Sequence, residues 1–490
     1  MGMSISWPPP GSLYEVVNMK NLSLLDDLFL WLERRHQPMH VAGLLIFEYP
    51  KGAPSHFVSD LAQQMRDCTA PTYPFDQRLV ERWRGNCWDH DSAFDINHHF
   101  RHVALPRPGG IKELFSFISI EHGNLLDRSR PLWESYLIEA MNGRHFALYT
   151  KVHHSLLDGV SAMRTTMKML GDDPAQMNMP PVWQMPLSPR AQEGKPAEGI
   201  LSALKVAGSL VGGQIATVRP VASALYNTIK AARANPEYAN VFKAPQCRLN
   251  QPITGSRRFA AQSFERARLK AIARQTGSTT NDIILAMCGS ALRHYLQSYD
   301  CLPKQPLVAM VPVSLRRDDS IGGNQVGVIL ANLATHRKGS LNRLEVIKQS
   351  VDEAKEKFHR MSKEEAINYT AVTLAPSGLT LLTGLIPQWL AFNVVISNVP
   401  GPEKTQYWNG ARLERFYPVS AIVNHMALNI TIISYEDRLE FGIVGCRRTL
   451  PSMQRLLQYL DDALLELETD LGMSPPPKRQ SKRAKQALSE

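Results

Sequence analysis

The chain has 490 residues, 44% apolar and 20% charged, which is a globular make-up long enough for two or three domains with a sizeable core. Its net charge of +10 suits an anionic partner, either a phosphorylated ligand or an acidic membrane surface; nucleic acid ranks last because no nucleic-acid motif accompanies the charge. The six cysteines (Cys68, Cys87, Cys247, Cys288, Cys301, Cys446) are scattered with no C-x-x-C pair, which argues against a zinc site and a disulfide framework and fits a reducing compartment.

Residues 1–18 carry no basic start joined to a continuous apolar run, so no signal peptide is read there; with Trp7-Pro8-Pro9-Pro10-Gly11 they read as a loose N-terminal extension. Ser23 is placed to cap a short helix striped by Leu25, Leu28, Phe29 and Leu32, with Asp26 and Asp27 at its positive end and Pro38 as its stop. Val41 to Tyr49 reads as a buried strand and residues 56–68 as a helix. Asp95-Ile96-Asn97-His98-His99-Phe100-Arg101-His102 gathers three histidines and an aspartate, but no Cys or Glu completes tetrahedral spacing. A strand beside the functional site is expected there rather than a metal. Ile111, Leu114, Phe115 and Ile118 define a helix closed by Gly123.

Trp133 to Met141 and Phe146 to Val152 then read as two strands joined by a tight turn at Asn142-Gly143. The second runs into His153-His154-Ser155-Leu156-Leu157-Asp158-Gly159. Behind it, Val160, Met163, Met167 and Leu170 recur at helical spacing, with Ser161 available as N-cap. Neighbours on a strand point to opposite faces, so the two histidines do not serve one atom: one works and the other is structural. An imidazole titrating near ~6.5 can take and return a proton at neutral pH. Taken alone, a His-His pair also fits simple packing and hydrogen bonding.

From about Asp172 to Pro252 the prolines Pro180, Pro181, Pro186, Pro189 and Pro196 mark an irregular connector. Gly199 to Val218 approaches a membrane span in length, but Lys205, Gln214 and several glycines interrupt it. With residues 221–233 it reads as linker helices, either lying on a membrane surface or packed on the protein. A second domain starts near Arg257-Arg258-Phe259, where Phe264, Leu269, Ile272 and Ala273 suggest a helix. Ile283 to Leu296 is an apolar helix. Before it, Thr280 or Asn281 fits a cap, and Asn281 equally fits a polar donor aimed at a reacting carbonyl. Leu307 to Val313 is a strand. Ala366 to Pro402 carries no charge and is broken by Pro376, Gly378, Gly384 and Pro387, so it is deep core or the wall of an apolar tunnel rather than a span. Ser397 to Pro402 reads as a turn. Leu428 to Tyr435 and Leu439 to Cys446 form a hairpin across Glu436-Asp437, and Pro451 opens a last helix striped by Leu456, Leu457, Leu460 and Leu464. Lys478, Arg479, Lys482, Arg483 and Lys485 make a basic tail, suited either to an anionic surface or to solubility.

His-His-x-x-x-Asp-Gly at His153 to Gly159 resembles the active-site motif of the CoA-dependent acyltransferase superfamily, which includes chloramphenicol acetyltransferase, plant alcohol acyltransferases and peptide-synthetase condensation domains. Within it the chain resembles the bacterial wax ester synthase/acyl-CoA:diacylglycerol acyltransferase family. The markers are Gln37-Pro38-Met39-His40-Val41, Pro131-Leu132-Trp133, Asn281-Asp282 and Ser397-Asn398-Val399-Pro400-Gly401-Pro402, in order, and the resemblance covers about Met19 to Gly472. His425-Met426 departs from a glycine often found just before Leu428-Asn429-Ile430.

The resemblance implies an α/β (α+β) fold of two chloramphenicol-acetyltransferase-like domains, each a mixed sheet with packed helices, and an active-site channel at their interface. The domains would be residues 19–172 and 256–472, with a helical linker at 173–255 and a disordered tail at 473–490. It implies transfer of a long-chain fatty acyl group from acyl-CoA, a substrate rather than a cofactor, to a long-chain alcohol to form wax ester, with diacylglycerol as second acceptor and, as the alternative, diacylglycerol as the main acceptor forming storage triacylglycerol, with no metal. His154 would be the base, with His153, Asp158, Gly159 and Asn281 completing the catalytic set. Asp158 would be held by an arginine of the other domain, best matched by Arg316, and Asp282 would be structural. Pro131, Leu132 and Trp133 would line the channel or anchor their loop; Ser377 and Gly378 would lie along the fatty chain; Asn398 would donate to CoA or shape its loop. A cytoplasmic protein held peripherally at the inner membrane or at lipid inclusions is implied. The competing readings are an amide-forming condensation domain and a non-enzymatic lipid-inclusion coat protein.

Overall fold

The structure, a computed structural model, describes residues 20–22, 24–82, 85–141, 144–187, 244–314, 326–361, 365 and 390–473. Two six-stranded sheets organise it, beside a small three-stranded sheet of β1 (Lys20–Asn21), β4 (Cys87–His90) and β3 (Gln77–Val80). The first is built on β2 (His40–Glu48), β7 (His145–His153), β6 (Trp133–Met141) and β5 (Phe100–Ala104). The pair β2–β7 is antiparallel with His40 opposite His153, β6–β7 is antiparallel, and β5 runs parallel to β6. Both faces of this sheet are buried. Phe146, Leu148 and Val152 pack with Leu45, Phe47, Leu137 and Trp133 on one side. Ala147 and Tyr149 pack with Leu44, Ile46, Tyr136 and Ile138 on the other. A near-continuous apolar strand is what burial on two faces requires.

The far edge of this sheet comes from the other end of the chain. β12 (Tyr407–Trp408) and β13 (Ala411–Val419) complete the order β12-β13-β2-β7-β6-β5, with Arg412 opposite Glu48 and Val419 opposite Ala42. The two halves therefore interlock, and a cut at residue 256 does not separate one sheet from the other.

The second sheet, β10-β9-β11-β14-β15-β8, is mixed. It comprises β8 (Arg257–Glu265), β9 (Val308–Ser314), β10 (Val326–Asn332), β11 (Val394–Val399), β14 (Leu428–Tyr435) and β15 (Arg438–Cys446). Here β11 runs parallel to β9 and β14 and the remaining pairs are antiparallel. Helices at Arg266–Thr276, Thr280–Gln297, Ser340–Arg360 and Arg455–Asp470 accompany it. Of these, Thr280–Gln297 is buried almost throughout. Gly289 makes its close approach possible, since a Cβ there would stand 2.6 Å from the Leu333 carbonyl oxygen.

Several sequence expectations are corrected. Residues 95–99 are not strand: the Asp95 side chain accepts the Asn97 N–H and starts a helical turn at Ile96–His99, and β5 lies at the sheet edge, two strands from His153. Phe264 belongs to β8, opposite Leu439, because strand pairing claims it before the helix begins at Arg266. Ser397 and Asn398 continue β11, opposite Thr431 and Ile432, and the turn follows them. The last helix starts at Arg455, after a turn in which Ser452 has φ 49°. Asp158, not Ser161, caps the helix Gly159–Met169, and Thr279, not Thr280 or Asn281, caps Thr280–Gln297. No expectation had been set for β10, Ser340–Arg360, β12 or β13. Outside the described residues lie the Asn142-Gly143 turn, the linker helices, Arg316, Ser377, Gly378, the N-terminal extension and the basic tail.

Candidate active site

His153 is the last residue of β7 and His154 begins the turn after it. The His153 N–H donates to the Leu132 carbonyl at 2.9 Å, and the His154 N–H donates to the Met39 carbonyl at 2.8 Å. Leu156 and Leu157 then donate back to the His153 carbonyl at 2.9 and 3.2 Å, closing the turn. Two of the sequence markers thus serve as backbone holders for the histidines. Asp158 ends the turn: its carboxylate accepts the N–H groups of Val160 and Ser161 at 2.9 and 2.8 Å and the Ser161 hydroxyl at 2.9 Å. This satisfies donors that a helix start leaves open and puts a negative charge at its positive end. Among the described residues, a Cβ on Gly159 would meet no atom within 4 Å, so none of them crowds the backbone there.

The two rings differ in environment, His153 ending the strand and His154 standing in the turn beyond it. His154 is half-buried and stacks on Phe29 of the helix Leu24–Leu32, with centroids 4.3 Å apart. Its Nδ1 is buried with no hydrogen-bond partner among the described residues. Burial lowers its pKa below the ordinary histidine value, outweighing the opposing charge of Asp158. His154 is therefore held neutral, with a nitrogen lone pair available to take a proton.

His153 is fully buried. Its Nδ1 accepts the Ser155 N–H at 3.1 Å and lies 2.6 Å from the Ser155 hydroxyl oxygen, while its Nε2 lies 3.4 Å from Oε1 of Glu33. Glu33, only 5% exposed, also accepts the Met39 N–H at 3.1 Å and two donors of Arg128 at 3.2 Å each. Burial pushes the Glu33 carboxyl up, but His153, the Met39 N–H and Arg128 together hold it below the usual glutamate value. Sequence reading overlooked Glu33, Arg128 and any role for Ser155, and placed Phe29 on a helix stripe without its stacking on His154. Glu33 sits in Leu32-Glu33-Arg34-Arg35, which reads as a solvated end of a short helix; only the fold turns it inward.

The other singled-out residues are placed as follows. Pro131, Leu132 and Trp133 are buried. The Trp133 indole N–H donates to the Phe75 carbonyl at 2.8 Å, and its ring stacks with His99 and Trp183 at 4.6 and 5.2 Å. Asn281 is half-buried at the second position of its helix; no hydrogen bond among the described residues joins it to the histidine turn. Asp282 is buried, and its Oδ2 accepts the N–H and hydroxyl of Thr279 at 2.8 and 2.7 Å in a capping box. Asn398 is exposed. Among the described residues no group of three or more His, Cys, Asp or Glu could hold a metal ion.

Two interlocked mixed sheets, with a histidine turn at the end of a central strand, define the condensation-domain class of fold. The first condensation domain of the CDA synthetase shares it at TM-score 0.57, over 94% of this chain and 98% of that one; at 15% identity the likeness shows fold alone. The family is fixed by closer matches. Residues 22–284 match the model of the wax ester synthase/diacylglycerol acyltransferase catalytic domain and residues 322–468 its C-terminal domain model, so the chain belongs to the wax ester synthase/diacylglycerol acyltransferase family and is an acyltransferase. It is 44% identical to the O-acyltransferase WSD of Acinetobacter baylyi, over 91% of this chain and 96% of that protein. It is 39% identical to a probable diacylglycerol O-acyltransferase of Mycobacterium tuberculosis, over 91% and 98%. A solved wax ester synthase/diacylglycerol acyltransferase from Marinobacter aquaeolei is 49% identical, with TM-score 0.77 over 93% of this chain and 100% of that one.

Proposed function

We propose that the chain transfers a long-chain fatty acyl group from acyl-CoA to a long-chain alcohol, forming wax ester, and to diacylglycerol as a second acceptor, forming triacylglycerol. The names of the Acinetobacter, Mycobacterium and Marinobacter relatives support this pair of acceptors. The observation that carries the mechanism is His154, kept neutral by burial, with its Nδ1 free of a hydrogen-bond partner and Gly159 uncrowded among the described residues.

In this reading His154 removes the proton from the alcohol as its oxygen attacks the thioester carbon. Positioned proton transfer of this kind accelerates a reaction by about 100- to 10,000-fold. The carbonyl oxygen becomes an oxyanion, with Asn281 as its donor, and loss of one such donor costs about 100- to 1,000-fold. The imidazolium then protonates the departing thiolate. Asp158 favours that imidazolium electrostatically while capping the following helix. Acyl-CoA is a substrate and no bound cofactor takes part. Ser155 lies in no G-x-S-x-G elbow, and direct transfer within a ternary complex is the favoured route.

The acyl chain and its acceptor are apolar, the chain carries +10, and no described helix is long and apolar enough to cross a membrane. Peripheral contact of a cytoplasmic protein with the inner membrane or a lipid inclusion fits those facts. The deciding experiment gives the purified chain palmitoyl-CoA with hexadecanol and dipalmitoylglycerol in competition, beside His154→Ala. Thiol release with wax ester as main product, lost in the variant, supports the reading. Dominant triacylglycerol exchanges the main acceptor, and turnover surviving in His154→Ala removes the base assignment.

A further inference from the structure

We propose that Glu33, clamped by Arg128, is a positioning residue for the histidine turn, acting through His153 and through Met39; the proposal rests on His154 being the base. Two short paths lead from the Glu33 carboxylate to His154. Along the first, Oε1 accepts the Met39 N–H at 3.1 Å, and the carbonyl of that same residue accepts the His154 N–H at 2.8 Å. Along the second, Oε1 faces His153 Nε2 at 3.4 Å, while Nδ1 of that ring accepts the Ser155 N–H at 3.1 Å. His154 lies between Met39 and Ser155, so both paths fix its backbone.

The second path also assigns a tautomer. Nδ1 can accept from Ser155 only without a proton of its own, so neutral His153 carries its hydrogen on Nε2, the atom facing Glu33. An anionic carboxylate at that place favours this tautomer; a neutral amide does not impose it. With the other tautomer, Nδ1–H would confront the Ser155 N–H and the turn would open.

Arg128 makes the arrangement rigid. Its guanidinium contributes both Nε and Nη2 to Glu33 Oε2 at 3.2 Å, and Nη2 also donates to the Leu30 carbonyl on the helix that carries Phe29. The stacking partner of His154 and the anchor of His153 are thus held by one guanidinium. Glu33 remains charged despite being 5% exposed because its partners more than offset burial. None of these side chains touches the reacting atoms, which makes the role one of orientation, as for the carboxylate behind a catalytic histidine.

The test is steady-state thiol release from palmitoyl-CoA with hexadecanol, using the purified full chain. Glu33→Gln keeps the side chain's size and, with its amide oxygen toward Met39, accepts that N–H, but it loses the charge and turns an NH2 instead of an acceptor toward the Arg128 guanidinium. It should lower kcat by about 10- to 100-fold, the range that small misplacement of a catalytic group produces, and leave KM for palmitoyl-CoA within about twofold. In a His153→Gln background the same substitution should change kcat less than about twofold, because its route is already cut. A kcat for Glu33→Gln within about twofold of the parent, or an equal loss in both backgrounds, overturns the proposal. Should Glu33→Gln not fold, Arg128→Gln takes its place: a fall in kcat at unchanged KM supports the clamp and an unchanged kcat overturns it. His154→Ala in the same series separates the two ideas. Activity surviving there defeats the base assignment, whereas failure of the Glu33 coupling with His154→Ala inactive defeats only the positioning role.

Discussion

His122 ties the two halves of the molecule together at Ser420. Its Nε2–H donates to the Ser420 carbonyl at 3.0 Å, while its Nδ1 accepts the hydroxyl of Tyr149, on β7, at 2.9 Å. The Ser420 hydroxyl in turn pairs with Thr431 of β14 at 2.6 Å. Burial drops the His122 pKa from 6.5 to about 3, so the folded protein keeps the ring neutral and uses both nitrogens.

That shift gives the first prediction, on acid stability. In the unfolded chain His122 binds a proton below about pH 6.5, whereas in the fold it does not until about pH 3. The unfolded state therefore holds the extra proton between those values, and the stability contribution present above pH 6.5 declines as pH falls toward 3. His122→Gln, which cannot titrate, should be less stable at pH 8 and should flatten the slope between pH 6.5 and 4. Urea unfolding midpoints at several pH values check it; an unchanged slope in the variant refutes it.

Glu440 works in the opposite direction. It is fully buried on β15, accepts the Ser263 hydroxyl, and has its Oε1 unpartnered among the described residues. Burial raises its pKa from 4.5 to about 7. The folded protein holds the proton that the unfolded chain releases, so this contribution is complete below pH 4.5 and is lost as pH rises through about 7. Glu440→Gln should gain stability relative to the parent above pH 7, by up to about 3 kcal/mol at 1.36 kcal/mol per pKa unit. Denaturant titration at pH 5 and pH 8 measures it; no gain at pH 8 relative to pH 5 contradicts it.

The histidine motif was legible because it is local: strand, two histidines, an aspartate and a helix follow one another within Phe146 to Leu170, although the aspartate's role as the helix cap was not read. The hairpin Leu428 to Cys446 was legible for the same reason, its alternation and its Glu436-Asp437 turn lying side by side, with Glu436 at φ 50°. His425 adds a detail: at φ 63° it occupies the left-handed region that glycine tolerates best. What remained hidden depends on distant partners. β13 mixes Glu414 and Arg415 with Phe416 and Tyr417 and becomes a strand by joining β2. Glu33 looks like a surface charge until the fold brings Arg128 and His153 to it. The stripe Leu344, Ile347, Val351 and Phe358 was present in the sequence, but Lys and Glu surround it and it went unread.

Trp133 separates a channel residue from an anchor. Its ring is fully buried among Phe75, His99 and Trp183, and its N–H is committed to the Phe75 carbonyl. An anchor predicts that Trp133→Phe lowers the melting temperature and leaves KM for palmitoyl-CoA within about twofold, while Trp133→Ala costs about 3–5 kcal/mol as a large-to-small core change. A channel wall predicts the reverse for Trp133→Phe: an altered KM or chain-length preference with little loss of stability. Thermal melts alongside KM values for acyl-CoAs of two chain lengths decide between them.

The last prediction concerns the strand that locks the halves together. β13 passes over the second sheet at Gly442, where a Cβ would stand 1.8 Å from the Pro418 carbonyl oxygen and 3.2 Å from the Pro418 ring. Backbone occupies that space, and Pro418 is itself held opposite Gly43 in the first sheet, so it cannot retreat without breaking the pairing of β13 with β2. Overpacking of a rigid core typically costs about 1–3 kcal/mol, and contact with backbone rather than a flexible side chain places Gly442→Ala at or above the upper end. The strain falls on the crossing strand and not on the histidine turn. Gly442→Ala should therefore unfold at markedly lower urea, yet at a temperature where it is folded its KM should stay within about twofold of the parent. Tolerance of Gly442→Ala with an unchanged urea midpoint would mean that β13 does not clamp the sheets as closely as the 1.8 Å approach requires.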